Sequence, residues 1–322
     1  RPRRCAMIVF ESAGISSLQD LGRYDLQNQG IGTCGAMDRM AARVANNLLG
    51  NTDNAALIEI ALGGARLRIA QTQWFAITGA DLQAEADGMP VELCRPIRLE
   101  AGSLLQFKQP RHGCRAYLAV QDGFVAEPVL GSASTDVRAG LGGYHGRAFQ
   151  RGDRLAYSPC RYGEKSVRWH TSWANPAFPD TGPLPFIPGT HWSWLDEPRQ
   201  EQFQDTAWQV SRNSDRMGLR LEQCLTPEHP WPSLLSSGVA FGSIQLPPDG
   251  HPIILAADRQ TTGGYPLLGT VAGIAHSRLA QCRPGDSLRF IPVSAADAVQ
   301  QWRRREGHYR QWRQHMAQWW HA

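Results

Sequence analysis

Hydrophobic residues in this chain gather in short runs that break at glycine. Met7 to Phe10 reads as a first strand, and a succession follows it: Ala56 to Leu62, Arg66 to Ala70, Trp74 to Thr78, Gln83 to Ala86, Ser103 to Phe107 and Arg115 to Val120. Gly63-Gly64, Gly79, Asp87-Gly88, Ala101-Gly102 and His112-Gly113 divide them. Many short strands at such spacing predict a barrel or a sandwich rather than alternating β and α units. One segment keeps a different period. Met37, Met40, Ala41, Val44, Ala45, Leu48 and Leu49 recur at helical spacing, with Asp38 in the first turn and Gly50 where a C-terminal cap belongs. From Trp208 the short-strand pattern resumes through Arg289-Phe290-Ile291. The tail from Ala295 is helical, with Trp302, Tyr309, Trp312, Met316 and Trp319 as an aromatic stripe and arginines on the other face. Such a helix either lies on a membrane or docks its aromatics on protein, and we take it to dock.

Between the strand-rich halves, Pro159 to Pro198 carries seven prolines among Trp169, Trp173, Phe178, Phe186, Trp192 and Trp194, which reads as an extended linker. The organisation expected is therefore an N-terminal segment, helix and first β domain over 1–158, a Pro/Trp-rich linker over 159–204, a second β domain over 205–293 and a terminal helix over 294–322. The halves echo each other. Asp87-Gly88-Met89-Pro90-Val91 leads to Ala101-Gly102-Ser103-Leu104, and Asp249-Gly250-His251-Pro252-Ile253 leads to Pro284-Gly285-Asp286-Ser287, with extra length inside the second copy.

At 322 residues, 42% hydrophobic and 19% charged, the chain has material for two cores and is not disordered. No apolar run approaches the roughly 20 residues of a membrane helix, and no charged-then-apolar segment opens the chain, so a soluble cytoplasmic protein is expected. Seven scattered cysteines without a C-x-x-C pair point to reduced thiols. Ten scattered histidines without H-E-x-x-H give no expectation of a metal. The tail from Gln300 holds five arginines and one glutamate, which accounts for the whole net charge of +4. The body is therefore neutral, and a nucleic-acid-tracking surface is not expected.

Candidate chemistry concentrates in Ala257-Asp258-Arg259-Gln260-Thr261-Thr262-Gly263-Gly264-Tyr265-Pro266, where the apolar run Ile253-Ile254-Leu255-Ala256 empties into a polar, glycine-bearing turn. Rigid scaffolds display sites in this way, and solvated hairpin loops share the pattern. Asp20 and Arg23, three apart, are spaced to pair with each other or to face a ligand. Cys34, next to the helix start, is either an activated thiol or a small residue fitting a tight turn. A second glycine-rich loop spans Ser132 to Gly143. Its glycines at 140, 142 and 146 miss the dinucleotide spacing by one, and no G-x-x-x-x-G-K-[ST] occurs, so neither nucleotide fingerprint is present.

Taken in order, Gln19-Asp20-Leu21-Gly22-Arg23, Cys34-Gly35-Ala36-Met37-Asp38, Asn46-Asn47-Leu48-Leu49-Gly50-Asn51, Leu57-Ile58-Glu59-Ile60, Thr78-Gly79-Ala80, Ser134 to Gly140, Asp215-Arg216-Met217-Gly218 and Asp258 to Pro266 resemble the C subunit of bacterial 5-oxoprolinase. That family is also called Kip antagonist or allophanate hydrolase subunit 2, a biotin-dependent carboxyltransferase-like domain. The resemblance implies a mainly β protein with a few helices and two cyclophilin-like β-barrels. It also implies work with a Kip inhibitor-like B subunit and with an A subunit, together opening 5-oxoproline to glutamate with ATP hydrolysis. The related domain of urea carboxylase moves a carboxyl group from carboxybiotin to urea. Two positions depart from the family pattern. Gly22-Arg23-Tyr24-Asp25-Leu26 stands where many members read Gly-Arg-Pro-Gly-Tyr, and Cys34 stands where many have Ser.

Opening a resonance-stabilised lactam calls for an anion clamp, donors to the developing oxyanion and an acid or base. Residue type and motif position assign Arg216 to clamp a carboxylate or phosphate. Gln260, Thr261 and Thr262 are assigned to orient the amide, and Asp258 to act as base or orienter. Gly263, Gly264 and Tyr265, with Asp20, Arg23, Asp136 and Arg138 from the first half, are expected to bind substrate. ATP is expected, on this chain or on its partners. No biotin-attachment Met-Lys motif occurs, so biotin in a carboxyl-transfer reading arrives on another chain. A third reading makes the chain a regulator that binds the inhibitor-like partner without chemistry of its own.

Overall fold

A computed structural model describes residues 6–163, 165–167, 169–174, 182–227, 231, 232 and 234–321. The chain forms two compact units: Arg1–Arg23, Cys34–Pro179 and Gln311–Ala322 make the first, and Tyr24–Thr33 with Asp180–Arg310 the second.

The first unit is a sandwich. A six-stranded sheet has the order Arg154–Tyr157, Ala6–Ser12, Arg66–Ile69, Leu104–Gln106, Glu85–Ala86, Met89–Pro90. A five-stranded sheet has the order Ile15–Gln19, Leu57–Ala61, His112–Val120, Gln73–Asp81, Pro96–Leu99. Both are antiparallel, and alternate residues point inward from each. Ile8, Phe10, Leu67 and Leu155 of one sheet share a single core with Ile58, Ile60, Phe75, Ile77 and Leu118 of the other. Among the described residues no sheet closes on itself. The mainly β expectation holds, and the sandwich alternative replaces the closed barrel, because each sheet keeps two unpaired edge strands.

The outer face of the five-stranded sheet carries helix α1 (Arg39–Leu48). Asp38 caps it by accepting from Ala41 N at 3.0 Å, and Gly50 follows the helix end at φ +73°. Its start is fastened to the sheet beneath. Glu59 Oε2 accepts from Met37 N at 2.8 Å and from the Tyr117 hydroxyl at 2.9 Å, while that hydroxyl accepts from Asp38 N at 2.7 Å. Cys34 is buried at φ +52°, a tight-turn position. Next to the end of α1, the Trp320 indole donates to Leu48 O at 2.7 Å and packs edge-on against Trp74.

The second unit has one six-stranded sheet in the order Gly218–Arg220, Ile253–Leu255, Ser243–Gln245, Leu267–Val271, Leu184–Pro188, Phe290–Pro292. Two small ribbons accompany it, Trp208–Gln209 with Ser287–Leu288 and Ser237–Gly238 with Thr262–Gly263. Helices α2 (Glu197–Asp205) and α3 (His276–Gln281) flank the sheet, and Phe203 of α2 stacks on Phe290 and meets Phe186 and Trp208. The expected linker over 159–204 holds a sheet strand, Leu184–Pro188, and most of helix α2, both within the second unit. Phe178 lies outside the described residues. Helix α4 (Ala295–His321) belongs to the second unit up to Arg310 and to the first from Gln311. Its aromatic stripe docks in part. Tyr309 is buried and Trp302 is exposed.

Candidate functional site

Strand Ile253–Leu255 pairs antiparallel with Gly218–Arg220, and the pairing runs on past both strand ends: Ala256 N donates to Met217 O at 2.8 Å and Asp258 N to Arg216 O at 2.8 Å. Asp215 holds the turn by accepting from Met217 N at 2.8 Å. This extended register sets Arg216 beside Asp258, and the side chains complete a fork, Nε to Oδ2 at 2.8 Å and Nη2 to Oδ1 at 2.9 Å. Charge-assisted pairs of this geometry are strong and directional. Arg216 is thus placed as the partner of Asp258, where the sequence suggested a clamp on a free anion.

After Asp258 the chain leaves the sheet. Arg259 turns back to donate to Ala256 O at 3.2 Å. Thr261 O accepts from Val239 N at 3.1 Å, and Thr262–Gly263 pairs with Ser237–Gly238. The backbone is therefore held while side chains are left over. Gln260, Thr262 and Tyr265 are exposed, Thr261 is half-buried, and among the described residues none bonds to the side-chain polar atoms of these four. A fixed backbone with unused carboxamide and hydroxyl groups can orient a polar ligand.

Sequence reasoning missed one residue here. The Gln245 carboxamide is buried behind this loop, and a Cβ on Gly263 would collide with its Nε2. Among the described residues that Nε2 has no hydrogen-bond partner. Only the glycine at 263 hints at it in the sequence.

The four residues expected from the first half sit in the first unit, in structural roles that differ from one another. Asp20 is buried, and its carboxylate accepts from Gly22 N at 2.8 Å, Ser132 Oγ at 2.7 Å, Ala133 N at 2.7 Å and the Ser134 hydroxyl. No ion pair joins Asp20 to Arg23 among the described residues. Asp136 folds its own turn, accepting from Arg138 N at 3.1 Å and Ala139 N at 3.0 Å, and Arg138 is exposed. Among the described residues no group of three or more His, Cys, Asp or Glu side chains is gathered as for a metal ion. None of their helices is long and apolar enough to cross a membrane.

These features define a mainly β protein of two units, one of which presents polar groups on a loop fixed at the end of an inner strand of its sheet. The family model for the carboxyltransferase domain, subdomain A and B, matches residues 29–292. The chain belongs to that family. It is 35% identical over 318 residues to the 5-oxoprolinase C subunit of Escherichia coli, covering 96% of this chain and 99% of that one. It is 38% identical over 299 residues to the 5-oxoprolinase C subunit of Haemophilus influenzae, covering 92% and 94%. Among solved structures, the urea amidolyase of K. lactis superposes with a TM-score of 0.80 at 27% identity, over 93% of this chain and 19% of that one.

Proposed function

We propose that this chain is the C subunit of an ATP-dependent 5-oxoprolinase, acting with an A subunit and a Kip inhibitor-like B subunit to hydrolyse 5-oxo-L-proline to L-glutamate. The observation that carries this reading is length. The chain matches the two 5-oxoprolinase C subunits over nearly all of both partners, whereas it spans about a fifth of the urea amidolyase. In the proposed site Asp258, held by Arg216, orients the reacting groups. The free carboxamide of Gln260 and the hydroxyls of Thr261 and Thr262 hydrogen-bond the lactam amide. ATP hydrolysis in the complex supplies the free energy that a resonance-stabilised amide requires. We assign it to the assembled complex, since neither nucleotide fingerprint occurs in this chain.

A second reading, carboxyl transfer from a biotin carried on another chain, draws support from the family's description and the urea amidolyase likeness. The same loop donors would then meet a ureido oxygen. The test is ATP-dependent glutamate release from 5-oxo-L-proline by the chain mixed with its two partner proteins, each omitted in turn. Activity that needs this chain and falls at least about tenfold in Asp258→Ala, a loss of about 1.4 kcal/mol in transition-state stabilisation, supports the assignment. Full activity without this chain sinks it. No activity in the complete mixture, with biotin-dependent urea carboxylation present instead, selects the second reading.

A further inference from the structure

The loop from Asp258 to Pro266 is gripped along its length. The Arg216 fork holds its first residue, and the ribbon of Thr262–Gly263 with Ser237–Gly238 holds its middle. Its last residue is tied to the sheet, where Leu246 N donates to Pro266 O at 3.0 Å. Leu267, which follows, is bracketed by one histidine. His191 N donates to Leu267 O at 3.2 Å, and the His191 imidazole accepts at Nδ1 from Leu267 N at 2.9 Å. All of these residues lie in the second unit.

The sheet itself does not supply these bonds. The neighbouring strand ends at Pro188, and a residue of an antiparallel ladder presents its N–H and C=O to the same neighbour. His191 meets both with its own N–H and its ring nitrogen, in place of the N–H and C=O of a strand residue. A backbone N–H can only donate, so Nδ1 is the acceptor and the neutral ring carries its hydrogen on Nε2. The Thr190 hydroxyl, 3.1 Å from the same Nδ1, then serves as a second donor. The half-buried imidazole is braced from the side: Trp194 meets it edge-on with ring centroids 4.5 Å apart, and Trp231 meets Trp194 in the same way at 5.6 Å. Gly189 brings the chain close enough for this, since a Cβ there would stand 2.7 Å from Leu267 O.

We propose that His191 is a positioning residue: by completing the ladder at Leu267 it fixes the downstream end of the loop, and with it the aim of the Gln260, Thr261 and Thr262 side chains. Its role in turnover rests on the function proposed above, which places the substrate at that loop. Its grip on the backbone does not. Donors that hold the lactam alike in the ground and transition states show their loss in KM rather than in kcat. A smaller share of folded protein does the reverse, lowering kcat at constant KM.

The test compares His191→Asn, whose side-chain oxygen stands near the Nδ1 position and can accept, with His191→Leu, which offers no acceptor. Hydrogen exchange of the full chain, read by mass spectrometry on peptides spanning 259–268, is expected to quicken in His191→Leu and to return to the wild-type rate in His191→Asn, with peptides of the first unit unchanged in both. In the complex with its two partner proteins, His191→Leu is expected to raise KM for 5-oxo-L-proline at least about fivefold with kcat within about twofold, and His191→Asn to restore KM. If His191→Leu does not fold, His191→Gln, whose amide reaches the Nε2 position instead of Nδ1, takes its place. Unchanged exchange in the variant without the acceptor overturns the proposal, as does a loss of activity carried wholly by kcat or one that His191→Asn fails to restore. If the wild-type complex releases no glutamate, the proposed function fails by itself, and the exchange comparison alone decides whether His191 fixes the loop.

Discussion

Asp258 accepts from both Nε and Nη2 of Arg216, at 2.8 and 2.9 Å, across a backbone pairing that joins the same two residues. The geometry makes the two side chains one element, fixed from strand Gly218–Arg220 as much as from the loop. Arg216→Ala and Asp258→Ala should therefore be non-additive, with a coupling of about 1–3 kcal/mol in urea unfolding. Additive losses would show that the fork contributes nothing beyond two separate side chains.

Gly263 and Gln245 are matched in the same way by shape. A methyl group at 263 has no space while the Gln245 carboxamide stands behind it. Gly263→Ala should cost about 1–3 kcal/mol as overpacking. In a Gln245→Ala background, where the carboxamide is gone, the same change should cost less than half as much. Equal costs in both backgrounds, from denaturation midpoints, would place the strain elsewhere in the ribbon.

What the sequence made legible follows from how local each signal is. Strands such as Leu57–Ala61 and Arg66–Ile69, and helix α1 with its Asp38 cap, are written in period and punctuation within a few residues. The choice of sandwich over barrel depends on which edge strands stay unpaired, a non-local outcome that no run of residues encodes. Leu184–Pro188 hid among prolines. It fits the sheet because the flanking ladder uses other groups: Leu184 N donates to Arg289 O at 2.6 Å, and Pro185 O accepts from Ala272 N at 2.8 Å, so the missing proline N–H is not needed. At the site, the polar loop after Ile253–Leu255 was visible as composition. The Arg216 fork and the Ser132 and Ser134 bonds to Asp20 join residues 42, 112 and 114 positions apart, and the spacing of residue types gives no register for such contacts.

Asp25 explains one departure from the family pattern. It stands where many members have glycine, and its backbone is left-handed at φ +63° with the side chain exposed. Aspartate tolerates that region better than most residues but not without strain. Asp25→Gly relieves roughly 1–2 kcal/mol of left-handed strain and adds about 0.4–1 kcal/mol of unfolded-chain entropy. The net expectation is a gain of about 0.5 kcal/mol, read as a higher urea midpoint with an unchanged slope. A loss of stability would mean that the carboxylate makes a contribution larger than the strain.

Three buried acids, Cys94, Tyr117 and Tyr157, shape the alkaline limit of stability, and burial is the first cause that raises each. Burial pushes the Cys94 thiol up from 9.0 to about 12. Burial, then the nearby charges of Glu59 and Asp38, raises the Tyr117 hydroxyl well above its usual 10.0. In each case the folded state retains a proton that the unfolded chain releases. Their contribution is therefore complete below the unfolded values and is lost as pH rises through them, by up to about 1.4 kcal/mol per pH unit for each group. Cys94 titrates first in the unfolded chain. Between pH 9 and 10 the slope of unfolding free energy against pH should thus belong largely to it, and Cys94→Ala should flatten that interval. The steeper fall above pH 10, where Tyr117 and Tyr157 join, should remain in that variant. Equilibrium denaturation at half-unit steps from pH 8 to 11 measures both, and a Cys94→Ala profile parallel to wild type between 9 and 10 would refute the assignment.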